Sequence, residues 1–129
     1  RAISDEMALT IFRTGHSTII RDGGDFATAL LTPDCELLAQ GLTVPQHLGA
    51  MPDALGAVLG KFGDSVAPGD VYLLNDPYNG GMHLPDVFVF KPIFIPGDDS
   101  RPVAFAAAVA HHADMGGRVP GSNASDSTE

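Results

Sequence analysis

Hydrophobic residues near the start of the chain recur at helical spacing. Ile3, Met7 and Ile11 are four residues apart, so they would form one stripe of an amphipathic helix. Ser4 is a residue type that often caps a helix N-terminus. The pattern predicts an opening helix between residues 3 and 20, with Ser4 as its N-cap.

A second helical pattern extends from residue 48 to residue 62. Its apolar residues recur mostly at steps of three and four: Leu48, Met51, Leu55, Val58, Leu59 and Phe62. Gly56 and Gly60 weaken the intrinsic helix propensity but do not interrupt the stripe. We expect this helix to pack its apolar face on a sheet.

Five short runs have the composition of β-strands, at residues 26–31, 36–40, 71–74, 87–95 and 103–111. Residues 32–35 and 96–102 are turn-rich connections that would close two hairpins. The order helix, hairpin, helix, three strands is not an alternating βαβ scheme. The sequence predicts an α+β fold in which a mixed or antiparallel sheet with hairpins is flanked by two helices.

Composition narrows the class of protein. The chain has 129 residues, 44% hydrophobic and 18% charged, which fits a single folded segment spanning residues 1–129. A net charge of -9 argues against binding to nucleic acids or anionic membranes, because both need positive charge. The single cysteine excludes an internal disulfide, and no apolar run is long enough for a membrane span. We expect a cytoplasmic protein with no nucleic-acid or membrane partner.

The candidate chemistry is concentrated near the longest hairpin. If its turn is centred between Asp98 and Asp99, Asp86 and His111 are equally far from the centre and lie opposite each other. Directly opposed side chains on neighbouring strands point to the same face and are close enough to share a ligand. A slip of one residue would instead favour His112, because successive side chains point to opposite faces.

His83 precedes Asp86 by three residues, so a bend at Leu84 and Pro85 is needed to bring the two side chains together. Two imidazoles and one carboxylate, from His83, Asp86 and His111, are a common ligand set for a catalytic divalent metal. The set suits Zn, Mn or Fe without choosing among them. The competing interpretation is that these polar residues only cap strand ends and hold the fold together.

Other residues give weaker evidence of a functional role. His16 and His47 flank predicted helices, where surface or capping roles are more common than metal binding. Cys35 lies in a predicted turn without an identifiable base, which disfavours a nucleophilic role. The glycine pairs at 80–81 and 116–117 are typical of turns, and no phosphate-binding loop motif is present.

Three segments resemble the hydantoinase B/oxoprolinase family. They are residues 69–86 (GDVYLLNDPYNGGMHLPD), residues 110–122 (AHHADMGGRVPGS) and residues 45–52 (PQHLGAMP). Members of that family are much longer, so the resemblance implies the N-terminal part of a larger protein. The absence of an initial methionine and the polar run at residues 121–129 agree with that expectation.

The resemblance implies an enzyme that hydrolyses a cyclic amide such as a hydantoin or 5-oxoproline. In such enzymes a hydantoinase A-type partner binds and uses ATP to activate the small-molecule substrate by phosphorylation. By resemblance to the acetone carboxylase branch, His83, Asp86 and His111 are the metal-ligand positions. We expect Asp114 and Asp76 to have catalytic roles, in orienting the histidines or moving protons.

Two alternatives remain open at this stage. The family also includes ATP-dependent ketone carboxylases, which would share the metal site. Alternatively, the segment is a folding and docking module whose active site is completed elsewhere.

Overall fold

A five-stranded antiparallel sheet forms the centre of the molecule. The computed structural model describes residues 1–119, 121, 124 and 125, so most of the polar run at residues 121–129 lies outside the described residues. The strands are β1 (Phe26–Leu31), β2 (Leu37–Gln40), β3 (Tyr72–Leu74), β4 (Asp86–Ile93) and β5 (Ala104–His111). Their spatial order is β2-β1-β5-β4-β3, and every neighbouring pair is antiparallel.

This architecture confirms the predicted α+β class and both hairpins. β1 and β2 pair across the turn at residues 32–35, and β4 and β5 pair across the longer connection. β1 inserts between β2 and β5, with Phe26 opposite Ala110. The pairing joins segments about eighty residues apart, which local sequence patterns do not reveal.

The main hydrophobic core lies between one face of the sheet and helix α3 (Met51–Phe62). Alternate residues of β4, β5 and β1 point into it, as the twofold periodicity of strands requires. The fully buried side chains of this core include Phe88, Phe90, Phe105, Leu31, Met51 and Leu55. The expectation that this helix covers a sheet is therefore correct.

Helix α3 begins three residues later than its hydrophobic pattern predicts. A short 3₁₀ turn, Pro45–His47, precedes it, and Pro52 occupies its first turn. Proline is favoured there because the first backbone N–H groups of a helix have no partner within it. The 3₁₀ turn places His47 at the end of the core.

The N-terminal helix differs from its prediction. Helix α1 (Ala2–Thr14) ends before Gly15, and a short helix α2 (Thr18–Arg21) follows, capped by Ser17. Ser4 is not the N-cap. It lies within α1, is fully buried, and donates its hydroxyl hydrogen bond to the Arg1 carbonyl oxygen.

The buried side of α1 also differs from the predicted stripe, since Ile3 is exposed and Ser4 and Ala8 are buried. The Thr28 hydroxyl of β1 donates to the Ser4 carbonyl oxygen at 2.8 Å. Small residues permit this close approach of the helix to the sheet. Helix α1 therefore packs on the sheet face opposite α3, in a second small cluster with Ile20 and Phe26.

None of the helices in the described part of the chain is long and apolar enough to cross a membrane.

Candidate metal centre

The hairpin register places Asp86 directly opposite His111. This pair opens the β4–β5 ladder, whose other pairs continue without interruption to Ile93 and Ala104. The predicted turn centre is therefore correct, and the alternative register that favoured His112 is not observed. His112 is exposed, and its backbone N–H donates to the Pro85 carbonyl oxygen at 2.8 Å.

A tight turn brings His83 to the same point. The Asp86 backbone N–H donates to the His83 carbonyl oxygen at 3.0 Å, which closes a turn around Leu84 and Pro85. Pro85 is fully buried, so the turn is held against the end of the core. The predicted bend is present at the predicted residues.

His83, Asp86 and His111 converge on one point, and we call them the three-residue cluster. Their donor atoms all lie within 4.8 Å of one another. His83 Nε2 is 3.0 Å from Asp86 Oδ2, His111 Nδ1 is 3.1 Å from Asp86 Oδ1, and the two ring nitrogens are 3.2 Å apart. Donor atoms bound to one zinc ion about 2.0–2.2 Å away are separated by about 3–3.5 Å. The observed separations therefore suit co-ligation of one ion.

The three residues of the cluster differ in how deeply they are buried. Asp86 is 1% exposed, His111 is 16% exposed at its side chain and His83 is 44% exposed. A buried carboxylate is expensive to leave without a positive partner. The basic side chains within 4 Å of its oxygens, among the described residues, are all histidines, and neutral imidazoles beside a carboxylate form a donor set that a cation fits well. The exposed edge at His83 leaves a side from which solvent or substrate can approach.

Two further side chains, those of Asp25 and His47, lie next to the cluster. The sequence patterns did not assign either one to it. Asp25 precedes β1, and its carbonyl oxygen accepts a hydrogen bond from the His111 backbone N–H at 3.0 Å. Its Oδ2 lies 3.8 Å from His111 Nδ1. Because β1 pairs with β5, Asp25 continues the row formed by His111 and Asp86 across three strands.

His47 is the other unexpected neighbour. It is 1% exposed, and its Nε2 lies 3.5 Å from Asp86 Oδ2 and 3.4 Å from Asp25 Oδ1. The expectation of a surface or capping histidine is therefore wrong. The spacing of histidines along the chain gave no sign of this position, because the 3₁₀ turn before α3 brings it over the end of the sheet.

The two predicted catalytic aspartates are not brought into the three-residue cluster. Asp76 accepts hydrogen bonds from the Tyr78 backbone N–H at 2.9 Å and from Asn79 Nδ2 at 2.6 Å. Asp114 accepts from the Gly116 backbone N–H at 2.8 Å. Both carboxylates shape their own loops, and a catalytic role for either one stays a prediction.

Cys35 is partly buried in the β1–β2 turn and packs against the main core. Burial, and to a lesser extent the charge of Asp34, raises the pKa of the Cys35 thiol. A raised pKa lowers the fraction of reactive thiolate at neutral pH. The environment agrees with the expectation that Cys35 is not a nucleophile.

The sequence profile of the hydantoinase B/oxoprolinase family matches residues 1–129. This chain belongs to that family. The resemblance in the three quoted segments is thereby confirmed over the whole length.

Named relatives support the same placement. The chain is 42% identical over 120 residues to 5-oxoprolinase 1 of Arabidopsis thaliana, covering 93% of this chain and 9% of that protein. It is 36% identical over 124 residues to caprolactamase subunit beta of Pseudomonas jessenii, covering 96% of this chain and 21% of that protein. The chain therefore spans about a tenth to a fifth of the length of these relatives.

Solved structures share the fold. The crystal structure of the ATP-dependent caprolactamase from Pseudomonas jessenii matches with a TM-score of 0.75 and 29% identity, over 93% of this chain and 20% of that chain. An acetone carboxylase structure matches with a TM-score of 0.79 and 22% identity, over 88% of this chain and 15% of that chain. The second likeness concerns the fold alone.

Proposed function

We propose that this chain contributes a divalent-metal site to an ATP-dependent hydrolase of cyclic amides. The observation that carries the proposal is the convergence of His83, Asp86 and His111 at one end of the sheet, in a member of the hydantoinase B/oxoprolinase family. The names of two relatives, a 5-oxoprolinase and a caprolactamase, support a cyclic amide as the substrate class.

The donor set would hold the ion through defined atoms. His83 faces the cluster with Nε2 and His111 with Nδ1, so these nitrogens would bind the ion and the ring protons would lie on the opposite nitrogens. Asp86 would supply the negative charge that balances a cation, and its side chain is fully buried at the end of the core. Such an ion, when bound, polarises a carbonyl or lowers the pKa of a coordinated water toward about 7. Zn, Mn and Fe all suit these ligands.

We further propose that a hydantoinase A-type partner binds ATP and phosphorylates the amide oxygen before hydrolysis. The sequence of this chain contains no phosphate-binding loop motif, which agrees with a separate ATP site. The caprolactamase relative is named as one subunit of its enzyme, which supports a multi-subunit assembly here. Ketone carboxylation is a weaker alternative, because the likeness to acetone carboxylase is limited to the fold.

Metal content of the purified chain tests the site. We expect near-stoichiometric Zn, Mn or Fe by elemental mass spectrometry in the wild type, and loss of most of it in His83→Ala and Asp86→Asn. His16→Ala is the matched control, because His16 is exposed and outside the cluster. Wild-type protein that neither contains metal nor takes up Zn²⁺, Mn²⁺ or Fe²⁺ would contradict the metal site.

Activity tests the substrate class and needs the full-length enzyme with its A-type partner. We expect ATP hydrolysis that depends on 5-oxoproline, hydantoin or a lactam, and its loss in His111→Ala. ATP hydrolysis that responds only to a ketone with bicarbonate would replace this proposal by the carboxylase alternative. Full activity in both His83→Ala and His111→Ala would favour a non-catalytic docking role.

A further inference from the structure

His47 occupies an unusual position for a histidine. Its side chain is 1% exposed, yet its Nε2 faces two carboxylates, Asp86 and Asp25, at 3.5 and 3.4 Å. Its other ring nitrogen, Nδ1, is buried and has no hydrogen-bond partner among the described residues. Burying a polar ring costs free energy unless its polar atoms have partners. The contact of Nε2 with the two carboxylates therefore accounts for the position of His47.

The proton of the His47 ring belongs on Nε2. Carboxylate oxygens of Asp86 and Asp25 are acceptors only, so a lone pair on Nε2 would face two other sets of lone pairs. A proton on Nε2 instead makes the 3.5 and 3.4 Å contacts with the two carboxylates attractive. The neutral tautomer then leaves Nδ1 as an acceptor, and no donor among the described residues reaches it.

His47 does not belong to the three-residue cluster. Within the described residues, the group whose donor atoms all lie within 4.8 Å of one another comprises His83, Asp86 and His111. His47 instead approaches Asp86 Oδ2, the oxygen that also lies nearest to His83 Nε2. The two histidines therefore approach the same carboxylate oxygen, His47 with a fully buried ring and His83 with a partly exposed one.

We infer that His47 is a positioning residue that orients the Asp86 and Asp25 carboxylates for the metal site through its Nε2 proton. The inference rests on the proposed metal site. Partners that hydrogen-bond to metal ligands restrict their rotation and keep their lone pairs aimed at the ion. The 3₁₀ turn Pro45–His47 and the start of α3 hold the ring in place, since Leu48 and Met51 are both buried in the main core.

The test compares three proteins by titration with Co²⁺: wild type, His47→Gln and His47→Met. Glutamine can place an amide N–H near the position of Nε2, whereas methionine has a similar length without a donor. We expect His47→Met to bind Co²⁺ about 10–100-fold more weakly than wild type. We expect His47→Gln to recover most of the affinity. His47→Asn, whose amide is too short to reach the carboxylates, replaces the methionine variant if that variant does not fold.

The visible absorption of bound Co²⁺ adds a readout that depends on the ligands and not on activity. A positioning role predicts the same band positions in wild type and His47→Gln at saturation. A shift of these bands would make His47 a ligand and overturn the inference. Equal Co²⁺ affinity in wild type and His47→Met would also overturn it, while leaving the metal site intact. Failure of the wild type itself to bind Co²⁺ would instead remove the proposed function and this inference with it.

Discussion

Asp25 has a partly exposed side chain and yet keeps one of its carboxylate oxygens buried. Its Oδ1 is buried and makes no hydrogen bond within the described residues, and Oδ2 is 3.8 Å from His111 Nδ1. Unpaired buried acceptors are uncommon in folded proteins, and each calls for a physical explanation. Oδ1 faces His47 Nε2 at 3.4 Å, which leaves Oδ2 as the oxygen available to a cation beside His111.

We therefore predict that Asp25→Asn weakens metal binding although Asp25 lies outside the three-residue cluster. The amide keeps the size of the side chain but removes its negative charge, and we expect a loss of about tenfold in affinity. Titration of the purified chain with Mn²⁺ or Co²⁺ measures the change. Asp22→Asn, in the same turn but exposed, is the control. Equal affinity in the two variants would show that Asp25 takes no part in binding.

The cluster residues differ in how far the sequence could reveal them. Asp86 and His111 were predictable because they belong to one hairpin, whose symmetry fixes the register once the turn is located. Asp25 depends on the pairing of β1 with β5, and His47 depends on the packing of a 3₁₀ turn over the sheet. Both contacts are set by tertiary structure, which local spacing does not encode.

At the level of elements, the loop between β3 and β4 determines where His83 lies. Asp76 caps the short 3₁₀ turn Pro77–Asn79, and Asn75 Nδ2 donates to the Leu84 carbonyl oxygen at 2.9 Å. Gly80 adopts a positive φ of 85° and lies against the first turn of α3. Hydrogen bonds within the loop and close packing against α3 thus hold the loop in place.

Gly80→Ala tests this arrangement. A Cβ at Gly80 would lie 2.6 Å from the Ala54 backbone nitrogen, so the loop would have to move away from α3. Gly97→Ala is a matched control, because Gly97 has the same φ of 85° but a Cβ added there would have no neighbour within 4 Å. We expect both variants to lose about 1 kcal/mol or more from backbone strain, and only Gly80→Ala to lose metal affinity as well.

Chemical denaturation and Co²⁺ titration separate the two effects. A loss of metal affinity in Gly97→Ala equal to that in Gly80→Ala would mean that general destabilisation, and not displacement of His83, explains the result.

The bounds of elements with strong sequence patterns were predicted more accurately than the faces that those elements bury. β1 has the predicted bounds, and α3 differs only at its start, where Pro52 sets the first turn. The buried side of α1 was predicted wrongly, because a stripe of large apolar residues is only one way for a helix to contact a sheet. Here a buried hydrogen bond from Thr28 to Ser4 favours small residues at the contact.

At the scale of the whole molecule, the proposed metal site lies at one end of the main core, where three strands and the start of α3 meet. Asp86 is among the fully buried side chains and belongs to the same sheet face as Phe88 and Phe90. The net charge of the chain is -9, so a bound cation also reduces overall repulsion. Occupancy of the site should therefore be linked to the stability of the whole fold.

The linkage predicts that a chelator lowers the Tm of the wild-type chain. An ion that binds only the native state stabilises it by about 2.7 kcal/mol at a concentration one hundred times its Kd. For a chain of this size that corresponds to a shift on the order of 10 °C. Differential scanning calorimetry with excess Mn²⁺ or with EDTA measures the shift.

Asp86→Asn should abolish the difference in Tm between excess Mn²⁺ and EDTA. Asp64→Asn, which changes an exposed carboxylate just after α3, should preserve that difference. The comparison also separates two origins of stability at this site. If the site were held together only by contacts among its own side chains, Asp86→Asn would lower the Tm and EDTA would have no effect on any of the three proteins. A shift confined to the wild type and Asp64→Asn requires instead that the ion itself links β1, β4, β5 and the preceding loop.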